Sequence, residues 1–257
     1  MPTEVDNACF HGQRSRKMIV DAHIHCTELE NIDKYANNTE FILVCVADDP
    51  NSSREVIEFS KKYSNIIPCI GIHPWNIHEY SLAQIESSLK HLVNNHDVNC
   101  LGEIGLDRRF RPHTFDKQLE AFSLFMNYAK EFNLVLNLHA ADAWREVFEL
   151  IYRSNINRAY FHWYTGPLDL LKQIEEIGFY VGFNPAWQIQ QKHREILVHA
   201  NLEYLITESD APYNYRGLIM TPDLIKKSIE YIATVKKTSV DYVEKVIYSN
   251  LKRLFKM

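Results

Sequence analysis

The chain has 257 residues, of which 46% are apolar, and a formal net charge of −5. This is enough apolar material for a full core and too much for a disordered chain, and the length is near the roughly 250 residues of a single-domain barrel. No apolar run approaches the roughly 18 residues needed to span a bilayer, and the acidic balance excludes a nucleic-acid binder that works through bulk positive charge, though not a nuclease whose bound cations supply that charge locally.

Residues 1–17 read as a polar N-terminal extension without the apolar core of a secretory signal. Arg14, Arg16 and Lys17 in it read as a solvated basic arm, and Met18 is a second candidate start of translation. Function is therefore expected in residues 18–257. From Met18 onward short apolar runs alternate with amphipathic segments. Strands are expected at Met18–Ala22, Phe41–Val46, Ile66–Gly71, Cys100–Gly105, Leu134–His139, Ala159–His162, Phe179–Phe183 and Tyr204–Glu208. Most are apolar throughout, as strands buried on both faces should be.

The segments between them read as helices. Ser52 and Glu55 fit a capping box ahead of Val56, Ile57 and Phe59. Phe115–Phe132 sets Leu119, Phe122, Phe125, Met126 and Ala129 on one stripe. Pro167 and Pro222 suit first turns of helices, and two helices, about Pro222–Val235 and Ser239–Lys256, close the chain. Eight strand–helix repeats give either a closed barrel or an open doubly wound sheet. Cys9, Cys26, Cys45, Cys69 and Cys100 show no CxxC spacing and leave one cysteine over in any pairing, so free thiols in a reducing, cytoplasmic compartment are expected.

The polar residues decide between the two sheets, because a barrel delivers them from the ends of several strands. His23 and His25 follow strand one at a spacing that puts both imidazoles on one side of an extended chain. Strand three ends in Gly71-Ile72-His73-Pro74-Trp75. Strand four carries Glu103 inside an apolar run, where an ionised carboxylate is costly unless paired or bound to metal. Strands five and six end in His139 and His162, and strand eight in Glu208-Ser209-Asp210. Histidines His23, His25, His139 and His162 with carboxylates Glu103 and Asp210 suit two divalent cations, one carboxylate bridging them. Two such ions carry +4 against −2 from the carboxylates, a cationic site suited to phosphate.

Asp-x-His-x-His, Gly-Ile-His-Pro, Gly-Glu-Ile-Gly-Leu-Asp, Asn-Leu-His-Ala, Phe-His-Trp-Tyr-Thr-Gly and Glu-Ser-Asp-Ala-Pro-Tyr occur in this order from residue 18 to about 255. In order and interval they resemble the TatD-type metal-dependent deoxyribonucleases. The resemblance implies an α/β fold, a (β/α)8 TIM barrel with its metal site at the C-terminal ends of the strands. It implies that His23, His25 and Asp210 hold one ion, that His139 and His162 hold a second, and that Glu103 bridges them. Asp210 would orient or deprotonate the attacking water, His73 would contact the substrate phosphate, and Asp107 and Glu208 would hold the ligands in orientation. The ions would be Zn²⁺, Mn²⁺, Fe²⁺ or Mg²⁺.

The implied activity is a DNase, a 3′-to-5′ exonuclease on single-stranded DNA. Trp75, Arg109, Arg111, Trp163 and Tyr213 are candidate substrate contacts, with Tyr164, Trp187, Tyr215 and Arg108 also expected around the mouth. The chain departs from the family pattern at Trp163-Tyr164, where Cys-Phe is usual, at Ala141, where arginine is common, and in a shorter loop after Asp210. None of these positions is a ligand. The alternatives are a small-molecule amidohydrolase, lactonase or phosphoesterase on the same two-metal site, and a non-catalytic metal-binding protein. Many amidohydrolases bridge their ions with a modified lysine on strand four, and Glu103 stands there instead.

Overall fold

The computed structural model describes residues 18–257, so the N-terminal extension, with Cys9 and its basic cluster, lies outside the described residues. Parallel strands β1 (Ile19–Ile24), β2 (Phe41–Val46), β3 (Ile66–Ile70), β4 (Cys100–Gly105), β5 (Val135–His139), β6 (Ala159–Phe161), β7 (Tyr180–Phe183) and β8 (Leu205–Thr207) pair in chain order. Helices α1 (Ile32–Ala36), α2 (Pro50–Lys62), α3 (Leu82–Asn95), α4 (Phe115–Phe132), α5 (Trp144–Arg153), α6 (Leu168–Glu176) and α7 (Gln191–His199) make the crossovers. Helices α8 (Ile225–Lys236) and α9 (Val240–Phe255) follow β8.

Side-chain and loop hydrogen bonds draw β1 and β8 together and nearly close the barrel. Thr207 Oγ1 donates to the Val20 carbonyl (2.6 Å), and the Ser209 amide donates to Asp21 Oδ1 (2.8 Å). The Asp210 amide donates to the His23 carbonyl and the His25 amide to the Ala211 carbonyl, both at 2.9 Å. The strand ends that carry the ligand candidates are thus tied to one another directly.

All eight expected strands form, with ends shifted by a residue or two. The first runs to Ile24, so His23 lies inside it rather than after it. Ser52 is not the cap of α2: Asp49 is, its carboxylate accepting from the Asn51 and Ser52 amides while Ser52 Oγ, on the third helical residue, accepts from the Asp49 amide. Pro50 takes the first helical position, which pulls the start upstream. Pro167 caps α6, and Pro222 opens a 3-10 turn, Pro222–Leu224, ahead of α8. Helix α1 and a short hairpin, β9 (Asn214–Tyr215) with β10 (Leu218–Ile219), were not expected.

The expectation of free thiols is corrected. Cys26 is joined to Cys45 and Cys69 to Cys100, with Cα separations of 5.4 and 4.5 Å, within the range a disulfide spans. Strand register causes this. Cys69 and Cys100 are direct partners in the β3–β4 ladder, and Cys26 follows Ile24, the partner of Cys45. The cysteines therefore no longer argue for a reducing compartment. Among the described residues no helix is long and apolar enough to cross a membrane.

The barrel interior has no room to spare under the ligands. Gly105 ends β4 at φ +140°, and a Cβ there would sit 2.0 Å from the His139 carbonyl oxygen. Replacing Gly105 with alanine should therefore cost about 3 kcal/mol or more, through strained backbone and a forced gap between β4 and β5. Urea unfolding checks this, and an unchanged midpoint would show that the two strand ends part without penalty.

Candidate metal centre

Glu103 is buried at the centre of the barrel mouth, and its two carboxylate oxygens face different groups. Oε2 lies 3.2 Å from His23 Nε2 and 3.5 Å from His25 Nε2. Both nitrogens also face Asp210 Oδ1, at 3.6 and 3.5 Å. Oε1 meets His139 Nδ1 (2.6 Å), His162 Nε2 (3.2 Å) and His73 Nε2 (3.3 Å). The i, i+2 spacing of His23 and His25 thus brings both imidazoles to one oxygen pair, as their alternation along the chain requires.

The hydrogen bonds on the far sides of these rings settle which nitrogen carries the proton. Asn137 Nδ2 donates to the Ala22 carbonyl, which leaves its Oδ1 to accept from His23 Nδ1 (2.8 Å). His25 Nδ1 donates to Asp48 Oδ2 (2.9 Å) and His139 Nε2 to Asp107 Oδ2 (2.9 Å). In a neutral ring the nitrogens facing Glu103 are then bare lone pairs, as metal ligands must be. His73 is turned the other way, with its protonated nitrogen facing the site. The Trp75 amide can only donate, so His73 Nδ1 accepts (3.2 Å) and Nε2–H points into the site as a donor. His73 Nε2 lies 3.3 Å from His139 Nδ1, which donates to Glu103 Oε1 (2.6 Å) while His139 is protonated and is bare only in the neutral ring.

The spacing fits divalent cations. His23 Nε2 is buried with no hydrogen-bond partner, although two carboxylate oxygens face it. The four separations of 3.2–3.6 Å among His23, His25, Glu103 and Asp210 are long for hydrogen bonds. Ligands about 2.1 Å from a tetrahedral ion lie roughly 3.4 Å apart. His23, His25 and Asp210 can thus share an ion, as can Glu103 with His23 and His162, or with His73 and His139. The tautomer of His73 marks it as a donor instead of a ligand. Imidazole and carboxylate together suit borderline divalent metals.

Electrostatics show the same dependence on opposite charge. Burial pushes the Glu103 carboxyl up, but His73, His162 and His23 and the bond from His139 outweigh it and hold it well below its ordinary range. Burial pulls His23 and His139 down, and their carboxylate partners more than reverse this, lifting both to about 9. Burial and the neighbouring His23 charge lower His162 to about 4. Its ring stacks on that of His23 at 4.0 Å, a contact two imidazolium ions would resist. Burial lifts Glu208 to about 8 and Asp21 to about 7. Asp107 overcomes burial through His139, the Phe110 amide and Trp75, and falls to about 2.

Above this floor opens a cleft of about 590 Å³ lined by Trp75, Arg109, Phe110, Trp163, Tyr213, Tyr215 and Arg216, among others. Trp163 meets Tyr215 and Tyr213 edge to face, and its indole N–H donates to Gln190 Oε1 (2.8 Å). Arg111 does not line the cleft but stands over the Trp75 ring, and Arg108 is paired with Glu146. Two aromatics expected at the mouth are elsewhere. Tyr164 is buried and donates to the Pro167 carbonyl, and Trp187 stacks on Tyr231 and donates to Ser228. Glu208 accepts from Tyr160, from Asn184 and from the Trp163 amide, and its Oε1 is 3.8 Å from His162 Nδ1.

Sequence reasoning missed Asp48, Asn137 and Asp21. Asp48 ends the segment after β2, where the strand-end rule that found the other ligands also applies. Asn137 stands two residues before His139, the same spacing that flagged His23 and His25. Asp21 is spent on joining β1 to the Ser209 amide.

Comparison with known proteins places the chain among relatives of this design. Residues 20–256 match the sequence family described as TatD related DNase. An uncharacterized metal-dependent hydrolase of Methanocaldococcus jannaschii is 28% identical over 247 residues, covering 92% of this chain and 96% of its own. A relative from Danio rerio, provisionally named a deoxyribonuclease, is 26% identical and covers 92% of this chain and 96% of its own. Among solved structures, YjjV, a TatD homologue of Escherichia coli, superposes with a TM-score of 0.81 at 19% identity, over 94% of this chain and 99% of that one.

Replacing Asp48 with alanine should leave His25 free to turn and weaken binding of one divalent ion by roughly 10–100-fold. The fold should remain. Metal titration followed by calorimetry reads this directly, and unchanged affinity would remove Asp48 from the centre.

Proposed function

The chain belongs to the TatD-related DNase family and is a metal-dependent hydrolase acting on ester bonds, and from that premise we propose that it removes nucleotides from the 3′ ends of single-stranded DNA. The observation that carries this reading is the two-sided environment of Glu103, with nitrogen ligands at each oxygen beneath a cleft of aromatic and arginine side chains. Two divalent ions, Zn²⁺, Mn²⁺ or Mg²⁺, would be shared by His23, His25 and Asp210 on one side and by His139 and His162 on the other, with Glu103 between. When bound they supply the positive charge that a phosphodiester and its attacking hydroxide require.

The chain's own groups do the rest. Asp210 faces both His23 and His25 and retains slight access to the cleft, so it is placed to orient the attacking water and accept its proton. Its backbone lies in the left-handed region at φ 55°, held by the bond from its amide to the His23 carbonyl. His73 Nε2–H is positioned to donate to a non-bridging phosphate oxygen. Arg109 supplies a further phosphate contact at the cleft wall, while Trp75, Trp163 and Tyr213 offer faces and edges on which bases pack without sequence preference. Asp107 and Glu208 keep the His139 and His162 side in register.

Chelation should abolish release of nucleotides from end-labelled single strands, and Mg²⁺, Mn²⁺ or Zn²⁺ should restore it. Asp210→Asn should lower kcat by roughly 10²-fold or more with oligonucleotide binding little changed. Metal-loaded protein that leaves both single-stranded and nicked DNA intact would overturn the DNA reading. Hydrolysis of a lactone, amide or small phosphoester panel in its place would move the activity to small molecules.

A further inference from the structure

Trp75 stands out because it touches both the cleft and the groups behind the ligands. Its indole N–H donates to Asp107 Oδ2 at 2.5 Å, the same oxygen that accepts from His139 Nε2 at 2.9 Å. Asp107 Oδ1 is taken by the Phe110 amide (2.6 Å), so the indole is one of two anchors that set the carboxylate's rotation. The Trp75 amide also donates to His73 Nδ1, and its ring lies edge-on to His73 with centroids 5.2 Å apart. On its other sides it meets Phe110 at 5.6 Å and the guanidinium of Arg111 at 5.2 Å. The ring lines the cleft and is only half buried, so whatever occupies the cleft restrains it.

We propose that Trp75 is a positioning residue: through Asp107 it sets the imidazole of His139, so that filling the cleft and loading the cation beside Glu103 Oε1 strengthen each other. The inference rests on the two-ion, single-strand reading given above. The physical chain is short. Without the indole N–H, Asp107 Oδ2 keeps only the His139 bond, and the Phe110 amide on Oδ1 is left as the one other anchor of the carboxylate's rotation. His139 then loses the fixed orientation that aims Nδ1 at Glu103. Groups that orient a ligand histidine in this way govern metal affinity strongly. A strand end packed against Trp75 holds the indole in place and so tightens the ion. By reciprocity the ion must tighten the strand equally. The His23–His25 side is oriented by Asn137 and Asp48 instead, and should not feel Trp75.

The test is Mn²⁺ titration of metal-stripped protein, followed by the electron paramagnetic resonance signal of free Mn²⁺, with and without a non-hydrolysable phosphorothioate single strand. The wild type should bind two equivalents, and the oligonucleotide should tighten one of them. Trp75→Phe keeps an aromatic ring but has no N–H. It should weaken that one equivalent by roughly 10-fold or more, leave the other unchanged and lose most of the oligonucleotide effect. In a His139→Ala background, Trp75→Phe should change nothing further.

Wild-type affinity for both equivalents in Trp75→Phe would overturn the proposal. So would a weakening that persists when His139 is absent. A wild type that binds fewer than two equivalents would instead overturn the two-ion reading on which the proposal stands. Misfolding would appear as loss of both equivalents together, in which case Trp75→Leu, which also lacks a side-chain donor, carries the same comparison.

Discussion

A carboxylate buried in the mouth of a barrel must be compensated, and the surroundings of Glu103 are arranged to meet that demand. An isolated ionised carboxylate in an apolar medium is so costly that it would take up a proton instead. Here five imidazoles, from His23, His25, His73, His139 and His162, converge on its two oxygens. Divalent cations between nitrogen and oxygen would satisfy both, whereas protons alone leave His162 unserved, because burial and the charge of the His23 ring stacked on it keep it neutral. The strand that carries Glu103 also lies against residues with no side chain to spare. A Cβ on Gly102 would meet Asn137, and one on Gly71 would meet the backbone of Gly102 and Glu103. Packing therefore holds the carboxylate at a height where only polar strand ends can reach it.

The ligand candidates are held by a second layer of groups distributed around the barrel. Asn137 turns His23, Asp48 turns His25 and Asp107 turns His139. Each of these partners comes from a different strand or strand end than its histidine, from a neighbouring strand for His25 and His139 and from across the barrel for His23, so the barrel must be assembled before any tautomer is set. His73 shows the same logic with the opposite result. Its orientation comes from a backbone amide, which cannot accept a proton, and the ring is left as a donor toward the site. One residue type thus supplies both ligands and a hydrogen-bond donor, distinguished only by what stands behind each ring.

The barrel and the ligand candidates were legible in the sequence for one reason: strands buried on both faces are apolar throughout, so a single carboxylate or histidine in such a run stands out. Glu103 in Cys100–Gly105 and His139 at the end of Val135–His139 are both of this kind. Of the residues behind them, Asp107 and Glu208 were legible through the family resemblance, whereas Asp48 and Asn137 were overlooked. Asp48 sits beside Asp49 before Pro50, a sequence that reads as a helix start, and Asp49 does serve as that cap. Asn137 in a strand interior has no value until its partner Ala22 is known to lie within reach. The two disulfides join residues 19 and 31 apart, and depend on a register that composition does not reveal. Tyr164 and Trp187 were assigned to the mouth because they follow strand ends, but a loop residue's direction is set by backbone geometry that the sequence hides.

Trp75 and Trp163, two of the tryptophans that line the cleft, differ in how they are tied to the centre, and that difference bears on how such a site can vary. Trp163 reaches Glu208 through its main-chain amide, from a backbone held at φ 43°. Many residues, though not proline or the β-branched ones, could keep the bond from that backbone, so the residue there can change without disturbing His162. This explains how the chain can carry tryptophan where the family pattern has cysteine while its ligand set stays intact. Trp75 reaches Asp107 through its side chain, and no aliphatic or carboxylate residue could supply that indole N–H. Variation at position 163 therefore alters the cleft wall alone, whereas variation at position 75 alters the wall and the orientation of His139 together. The cleft wall is therefore tied to the Glu103 cluster by a side-chain bond on the Trp75 side and only by a main-chain bond on the Trp163 side.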